Sequence, residues 1–594
     1  MTIPLNYQKR KNAHLFASLQ NHKEMELSQV QNYIPIYNTF FSLNDTNFNS
    51  VNLNHEWFLH DICNKNDSDN IVTGKLKNSK TDVIKDSKVF FKMAPLLDPC
   101  KFIVGKYNHL NPNLFMLPSL ENNVSVHPKL LDRNNCSYVD GFFVFLTSQL
   151  LHYKQFTHGV DYYGSFLAIK NHFKLNVADD LDYLIKSEFF NKHKNNLFKI
   201  DDYSHLVNGE IIPNLMPIHI HSPDVIPELV IPSINNEIFE NIFSEPVVDS
   251  RSPSDLIDIT HVNPFLEGDE HTQTLRSNSS CSSRTSHTHS SEDSNSDSDS
   301  NADSNSDVEG DDDDDDDGDD EDDNDASEEN STNSSNNSHL YEEETINVTL
   351  EHFPVQMICM EKCENTFDDL IINNDLTQDE WFSALMQIIM ILITYQKVFS
   401  FTHNDLHTNN IMYNTTNIKY LYYQYKKRYY KVPTFGRIYK IIDFGRAIYK
   451  FNGNIFCSDS FQIGGDAATQ YNTEPYFNDK KPRLEPNFSF DLCRLACSIF
   501  DYVVDDFDTM SDLEATNPVV KLIVEWCSDD NNINVLYKNN GIERYPDFKL
   551  YKMIARCVHN HTPHVQLERP EFKKFSISRS NLPKDATIMN IDEL

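Results

Sequence analysis

The chain has 594 residues, 11 cysteines and a formal net charge of −38. That length exceeds one ordinary domain, and the acidic balance excludes a broad basic surface of the kind that grips nucleic acid. The cysteines are scattered, the nearest pairs being Cys359/Cys363 and Cys493/Cys497, so they complete neither a zinc site nor a disulfide framework and fit a reducing intracellular compartment.

Residues 1–85 are rich in Asn, Asp and Ser and carry no motif, so they are set apart as an N-terminal region of unassigned role. The opening stretch is polar, with Lys9, Arg10 and Lys11 and no apolar run behind them, which argues against a signal peptide. Lys88-Val89-Phe90-Phe91-Lys92 is a strand signal ending in a lysine, and 93–99 reads as the turn that leaves it. Over 138–153 the apolar residues Val139, Phe142, Phe143, Leu146 and Leu150 recur at helical spacing, and Asp140 is the one acid among them. Residues 158–176 alternate as one or two strands, and 177–245, with five prolines from Pro213 to Pro232, reads as an irregular elaboration.

Composition then shifts. Between Glu292 and Glu344 there are 25 acidic residues and no Lys or Arg, including the run Asp311 to Asp317. Such a tract has too little apolar surface to offset its ordering entropy, so 246–340 is expected to be a disordered acidic Ser/Asn/Asp-rich insertion. It could also bind a basic protein partner. Folded sequence resumes at 345 with a buried-strand signal over 354–360, then Glu361-Lys362-Cys363 and the start of a helix. Thr377-Gln378-Asp379-Glu380 is a capping signature for a long apolar helix reaching Val398. That run is short and interrupted by Gln387 and Thr394, so a core helix is preferred to a membrane span and no membrane partner is expected.

The chemistry lies in two blocks. In His403-Asn404-Asp405-Leu406-His407-Thr408-Asn409-Asn410, Asp405 can orient and deprotonate a substrate hydroxyl, and Asn410 can turn its amide oxygen toward a metal ion. In Ile441-Ile442-Asp443-Phe444-Gly445, Asp443 can hold the metal that bridges nucleotide phosphates. Between the blocks, 420–430 is basic and aromatic and reads as an extended, exposed hairpin rather than a nucleic-acid contact. Further on, Phe490 to Phe500 is an apolar helix with Asp491 near its start, and 515–575 reads as closing helices.

Together these residues resemble the eukaryotic-type protein-kinase superfamily, and within it the serine/threonine kinases of large nucleocytoplasmic DNA viruses of the mimivirus kind. The closer likeness rests on 91–99, on Asp161-Tyr162-Tyr163-Gly164-Ser165-Phe166 and on 403–410. The resemblance implies an α+β, bilobal fold: a small, mainly β lobe from 86–245 and 341–360, interrupted by the acidic insertion, a large, mainly α lobe over 361–575, and a C-terminal tail over 576–594. It implies ATP and Mg2+ as cofactors and a protein Ser or Thr as substrate. Lys92 would hold the nucleotide phosphates and pair with Asp140. Met360 would be the gatekeeper, and the backbone of Glu361 and Cys363 would bond the adenine. Asp405 would be the catalytic base, Asn410 and Asp443 the metal ligands, and His403 and Asp491 structural supports. The protein would act inside the host cell, in the cytoplasm, or be packaged in a virion.

The sequence departs from that family in three places. No glycine-rich phosphate loop is recognisable, since Gly74 is the lone glycine before Lys92. The A-P-E motif is missing. Asn404 stands where many kinases carry an Arg that receives an activation-loop phosphate, so activity is expected not to depend on phosphorylation of Ser458, Ser460, Thr469 or Thr473. Two other functions fit the same motifs: a pseudokinase that binds partners through its acidic tether, and a small-molecule kinase of the choline or aminoglycoside type.

Overall fold

A computed structural model of the chain describes residues 3–68, 70–121, 125–178, 180–203, 345–504, 507–539, 541–546 and 548–594. The acidic insertion, 246–340, lies outside the described residues, as does 204–245. In chain order the first part contains β1 (Tyr7–Lys9), α1 (Ala13–Asn21), β2 (Leu27–Gln31), β3 (Val51–Leu53), β4 (Trp57–Ser68), β5 (Ile71–Asn78), β6 (Ile84–Pro95), α2 (Pro99–Ile103) and α3 (Pro128–Leu131). Next come α4 (Cys136–Lys154), β7 (Tyr162–Asn176), α5 (Leu181–Leu184), α6 (Glu188–His193) and β8 (Lys199–Ile200). The second part runs β9 (Asn347–Glu361), β10 (Asn365–Thr366), α7 (Phe367–Asn373), α8 (Gln378–Phe399), β11 (Ile411–Thr415), β12 (Tyr420–Tyr425), β13 (Arg428–Pro433), β14 (Arg437–Ile441), β15 (Ile448–Phe451) and β16 (Asn454–Cys457). It closes with α9 (Phe490–Val503), α10 (Phe507–Thr516), α11 (Pro518–Trp526), α12 (Lys549–Cys557), α13 (Pro563–Gln566), α14 (Pro570–Lys573), β17 (Ser576–Ile577) and β18 (Ile588–Asn590).

The architecture is mixed α+β. The largest sheet is antiparallel with strand order β2-β7-β9-β6-β5-β4, and β8 adds to β9. β9 lies between β6 and β7, with Ile358 opposite Lys92 on one side and Ser165 on the other. Such a central strand is covered on both faces, which is why 354–360 reads as a continuous apolar run.

Two boundaries drawn from the sequence need correction. β4 and β5, which come before residue 86, pair with each other and with β6 in the same sheet, so 1–85 is not a separate region. β6 also runs on to Pro95, through the stretch read as a turn, because Met93 and Ala94 stay paired with Met357 and Gln356.

α4 is apolar on every side because protein surrounds it: every residue from Ser137 to Leu150 is buried. Asn135 caps its start by accepting from the Ser137 N–H at 3.1 Å, and its own amide donates to the Leu96 carbonyl at 2.8 Å. Gly141 permits the helix to lie against β9, since a Cβ there would sit 2.2 Å from Gln356 Nε2. α8 begins with the expected capping box of Thr377 and Glu380. Among the described residues it alone is long and apolar enough to cross a membrane, yet 89% of its most apolar window is buried inside the protein.

The hairpin β12–β13 is less exposed than the sequence suggested. It is the middle of a four-stranded sheet, β17-β13-β12-β18, with β18 parallel to β12. Its inward residues Leu421, Tyr423, Tyr430 and Val432 are buried. Residues 576–594 therefore do not form a free tail: β17 and β18 cover both edges of the hairpin, which would otherwise leave backbone groups unpaired.

His158 joins this hairpin to the turn before β7. Its Nδ1 lies 2.7 Å from the Tyr439 carbonyl and its Nε2 2.7 Å from the Tyr423 hydroxyl. Burial drives its pKa down to about 4, against a smaller upward pull from the Tyr439 carbonyl. The folded value lies below the unfolded one, so the stabilisation is present above about pH 6.5 and is lost as pH falls toward 4, amounting to about 3 kcal/mol over that window. Melting of wild type and His158→Gln at pH 7, 6, 5 and 4 checks this. The variant should lose less stability than wild type across that range; parallel curves would exclude His158 as a source of acid sensitivity.

Candidate functional site

Lys92 lies near the end of β6, Asp140 in the second turn of α4, and Asp443 just after β14. Lys92 Nζ is 2.7 Å from Asp140 Oδ2 and 2.9 Å from Asp443 Oδ1. The other Asp140 oxygen accepts from the Phe444 N–H at 2.9 Å. Asp140 is buried rather than a solvated first-turn acid, so three distant chain segments meet through one lysine and two carboxylates. Burial pulls the Lys92 pKa down, but Asp140 and Asp443 outweigh it and hold the ammonium above its ordinary pKa.

The loop 403–410 is pinned from below. Asp491, buried in the first turn of α9, accepts from the His403 N–H at 2.9 Å and the Asn404 N–H at 2.9 Å. Burial pushes its carboxyl up, and the neighbouring His403 and these N–H groups oppose that push. The His403 ring lies 2.9 Å from the Ile442 carbonyl, which ties the loop to the strand leading into Asp443. Asn404 and Asp443 both adopt left-handed backbone, at φ 64° and 61°. Asn and Asp tolerate that region best among residues with a Cβ, and such geometry gathers at functional sites.

Asn410 donates its amide N–H to the Asp405 carbonyl at 3.0 Å, and its Nδ2 lies 3.0 Å from His407 Nε2. Its Ile411 neighbour opens β11, and its carbonyl accepts from the Ile442 N–H at 3.0 Å, so Asn410 and Asp443 sit side by side. Among the described residues no group of three His, Cys, Asp or Glu side chains could hold a metal unaided. A magnesium ion does not need one: it takes one or two protein oxygens plus phosphate and water. Asp443 and the Asn410 amide oxygen fit that requirement.

Asp405 itself is only 7% exposed. Its Oδ1 accepts from the Tyr551 hydroxyl at 2.8 Å, and Arg446 Nη1 lies 3.7 Å from its Oδ2. Arg494 donates to the same Tyr551 oxygen at 3.0 Å. Burial would raise the Asp405 carboxyl, yet Arg446, His407 and Arg494 hold it well below the usual carboxylate range. His407 is driven down to about 4, chiefly by burial and against the pull of Asp405, so its ring is neutral at pH 7.

In the segment expected to meet a base, the Glu361 N–H and carboxylate both turn into the fold. Met360 is buried at the end of β9, and Cys363 is buried beyond it. The Glu361 N–H donates to the Asp161 carbonyl at 2.9 Å, so it is not a donor to a nucleobase. The Glu361 carboxylate turns inward instead. It accepts from the Asp161 N–H at 2.7 Å and from Asn414 at 2.9 Å, and it pairs with the buried Lys440 on β14. Glu361 is thus a structural tie between β7, β9 and β14.

Of the residues singled out in the sequence, Lys92, Asp140 and Asp443 meet through direct ion pairs, Asn410 bonds the Asp405 carbonyl, and Asp491 holds the backbone of His403 and Asn404. The sequence reading missed Tyr551, Arg446 and Arg494. Arg446 directly follows Asp443-Phe444-Gly445 and could have been singled out, but nothing in the residues around Tyr551 marks it.

No known family profile matches the chain. One stretch of 182 residues is 26% identical to "Uncharacterized protein 098R" of Invertebrate iridescent virus 6. The match covers 30% of this chain and 26% of that protein.

Proposed function

We propose that the chain is an ATP- and magnesium-dependent serine/threonine protein kinase with a bilobal fold, in which the β2–β9 sheet with α4 forms the small lobe and the helices from α7 onward form the large one. One observation carries this reading: Lys92, Asp140 and Asp443, drawn from β6, α4 and the loop after β14, meet through direct ion pairs, and Asn410, bonded to the Asp405 carbonyl, lies in the neighbouring loop, a set of charges and oxygens suited to phosphoryl transfer. Lys92 would grip the nucleotide phosphates, oriented by Asp140. Magnesium, held by Asp443 and Asn410, would neutralise charge on those phosphates. Asp405 would orient the incoming hydroxyl and take its proton. The iridovirus similarity supports a viral setting; action inside the host cell is part of the kinase reading.

A second reading, a catalytically silent binding module, has one observation in its favour. Both Asp405 oxygens already face partners, Tyr551 and Arg446. Radiolabelled ATP with casein, with histone and with no added protein separates the two. The kinase reading expects magnesium-dependent label on Ser or Thr that disappears in Asp443→Ala. Label that survives in Asp443→Ala, or no label with intact nucleotide binding, would overturn it.

A further inference from the structure

The helix that supplies Asp140 is held at its start by a carboxylate from far along the chain. Asp459 lies just after β16, in the segment that follows Asp443-Phe444-Gly445. Its Oδ1 accepts from the Cys136 N–H at 3.0 Å, so it takes one of the unpaired N–H groups of the first turn of α4. Its backbone N–H donates to the Asn134 carbonyl at 2.7 Å. Its Oδ2 pairs with Lys129 of α3. Asp459 is 2% exposed, so this is a buried, directed contact and not a surface ion pair. Burial pulls the Lys129 pKa down, but Asp459, with smaller help from Cys136 and Tyr107, outweighs it and holds the ammonium above its ordinary pKa.

A second contact of the same kind lies beside it. Asp466, further along the segment, is 3.0 Å from Lys101 of α2, which Asp98 also approaches at 3.2 Å. From the opposite side, β6 holds the same turn of α4 through Asn135 on the Leu96 carbonyl and the Ser137 hydroxyl on the Pro95 carbonyl at 2.7 Å. One turn further along α4, Asp140 reaches Lys92 and the Phe444 N–H.

Asn404 completes the tie without any charge. Its amide donates to the Arg446 carbonyl at 2.9 Å, and its Oδ1 accepts from the Tyr471 hydroxyl at 2.8 Å. Of Ser458, Ser460, Thr469 and Thr473, Ser458 and Thr473 are buried at 0% and 8% exposure, which closes them to a modifying enzyme.

We propose that Asp459 is a positioning residue: its side chain clamps the start of α4 through Lys129 and the Cys136 N–H, and so keeps Asp140 and Lys92 aligned for nucleotide without a phosphate on the segment. This rests on the kinase reading. A phosphate can order such a segment by pairing with cations; here a side-chain carboxylate already does so.

The test uses the full chain with Asp459→Asn, Asp459→Glu and Lys129→Met. Three quantities are followed: KM for MgATP against kcat, melting temperature, and hydrogen exchange in peptides covering 136–140. Asp459→Asn is expected to raise KM for MgATP about tenfold, equivalent to ~1.4 kcal/mol, and to speed exchange at the start of α4. Lys129→Met should move both in the same direction, and Asp459→Glu should restore most of the affinity. Phosphatase treatment of wild type should leave KM unchanged. If KM and exchange match wild type while only the melting temperature falls, the role is merely structural and the proposal fails. If Asp459→Asn does not fold, Lys129→Met, which leaves the N–H contact in place, decides on the same criteria. Phosphatase treatment that raises KM tenfold would also overturn it. Wild type that binds no MgATP would instead overturn the kinase reading, and the positioning role with it.

Discussion

Asp443→Ala is expected to abolish turnover and to weaken magnesium-dependent ATP binding, whereas Asp405→Asn should abolish turnover and leave ATP binding nearly intact. The asymmetry follows from position. Asp443 Oδ1 sits 2.9 Å from Lys92, beside Asn410, at the point where metal and phosphate would meet. Removing it deletes one of two carboxylates on Lys92 and, on the kinase reading, a proposed magnesium ligand. Misplacing reacting groups by as little as 1 Å can cost about 100-fold, and a lost metal adds to that. Asp405 instead faces Tyr551 with its Oδ1 and Arg446 with its Oδ2. Loss of a general base costs about 10²–10⁴-fold in rate, and its amide isostere retains an oxygen for the Tyr551 hydroxyl. Isothermal titration with MgATP and a phosphorylation assay on the same preparations separate the two effects. Equal activity in wild type and both variants would mean that the activity belongs to a contaminant.

How far the site was legible depended on how locally it is encoded. His403, Asp405, Asn410 and Asp443 sit in two short blocks whose residue types and spacing state their chemistry, and they were read directly. Lys92 and Asp140 needed one inference each, a strand ending in lysine and an acid inside an apolar helix, and the structure brings them to 2.7 Å. Asp491 was legible as an acid at the start of a buried helix.

Contacts between distant segments left no such trace. Tyr551 meets Asp405 across 146 residues and Lys129 meets Asp459 across 330; a pairing fixed only by the folded chain has no periodicity to betray it. The strands before residue 86 were hidden for another reason. β5 alternates buried and half-buried positions as a strand should, but its buried positions include Gly74 and Asn78, which break the apolar pattern. β17 and β18, of 2 and 3 residues, are too short to show any period at all.

Glu361 shows the limit of carrying a role by position alone. The strand and the bend after it fall where the sequence puts them, but the backbone N–H and the carboxylate are both committed to Asp161, and the carboxylate also to Lys440. A buried Glu requires such partners, and those partners, on the turn before β7 and on β14, cannot be seen from residues 354–363.

The other large effect concerns the support beneath the loop. Asp491→Ala is expected to destabilise the fold and silence the site together. The carboxylate accepts from two buried N–H groups, those of His403 and Asn404, and alanine offers them nothing in exchange. Each buried N–H left without a partner costs about 1–3 kcal/mol, so the change should cost about 2–6 kcal/mol. Removing a charge that burial disfavours offsets part of this, which places the result toward the lower half of that range. Asn404 would feel the loss most. Its backbone is held at φ 64°, and such a conformation persists only where surrounding contacts fix it. Relaxation of Asn404 would withdraw its amide from the Arg446 carbonyl and shift Asp405, its neighbour in the chain. Asp491→Asn should be milder, because it keeps one acceptor oxygen but turns an NH2 group toward the remaining N–H. Denaturant melts and MgATP titration of the three proteins measure this order. A wild-type melt for Asp491→Ala would mean that water replaces the carboxylate, and that the loop's other ties, His403 to the Ile442 carbonyl and Asn404 to Arg446 and Tyr471, suffice to hold it.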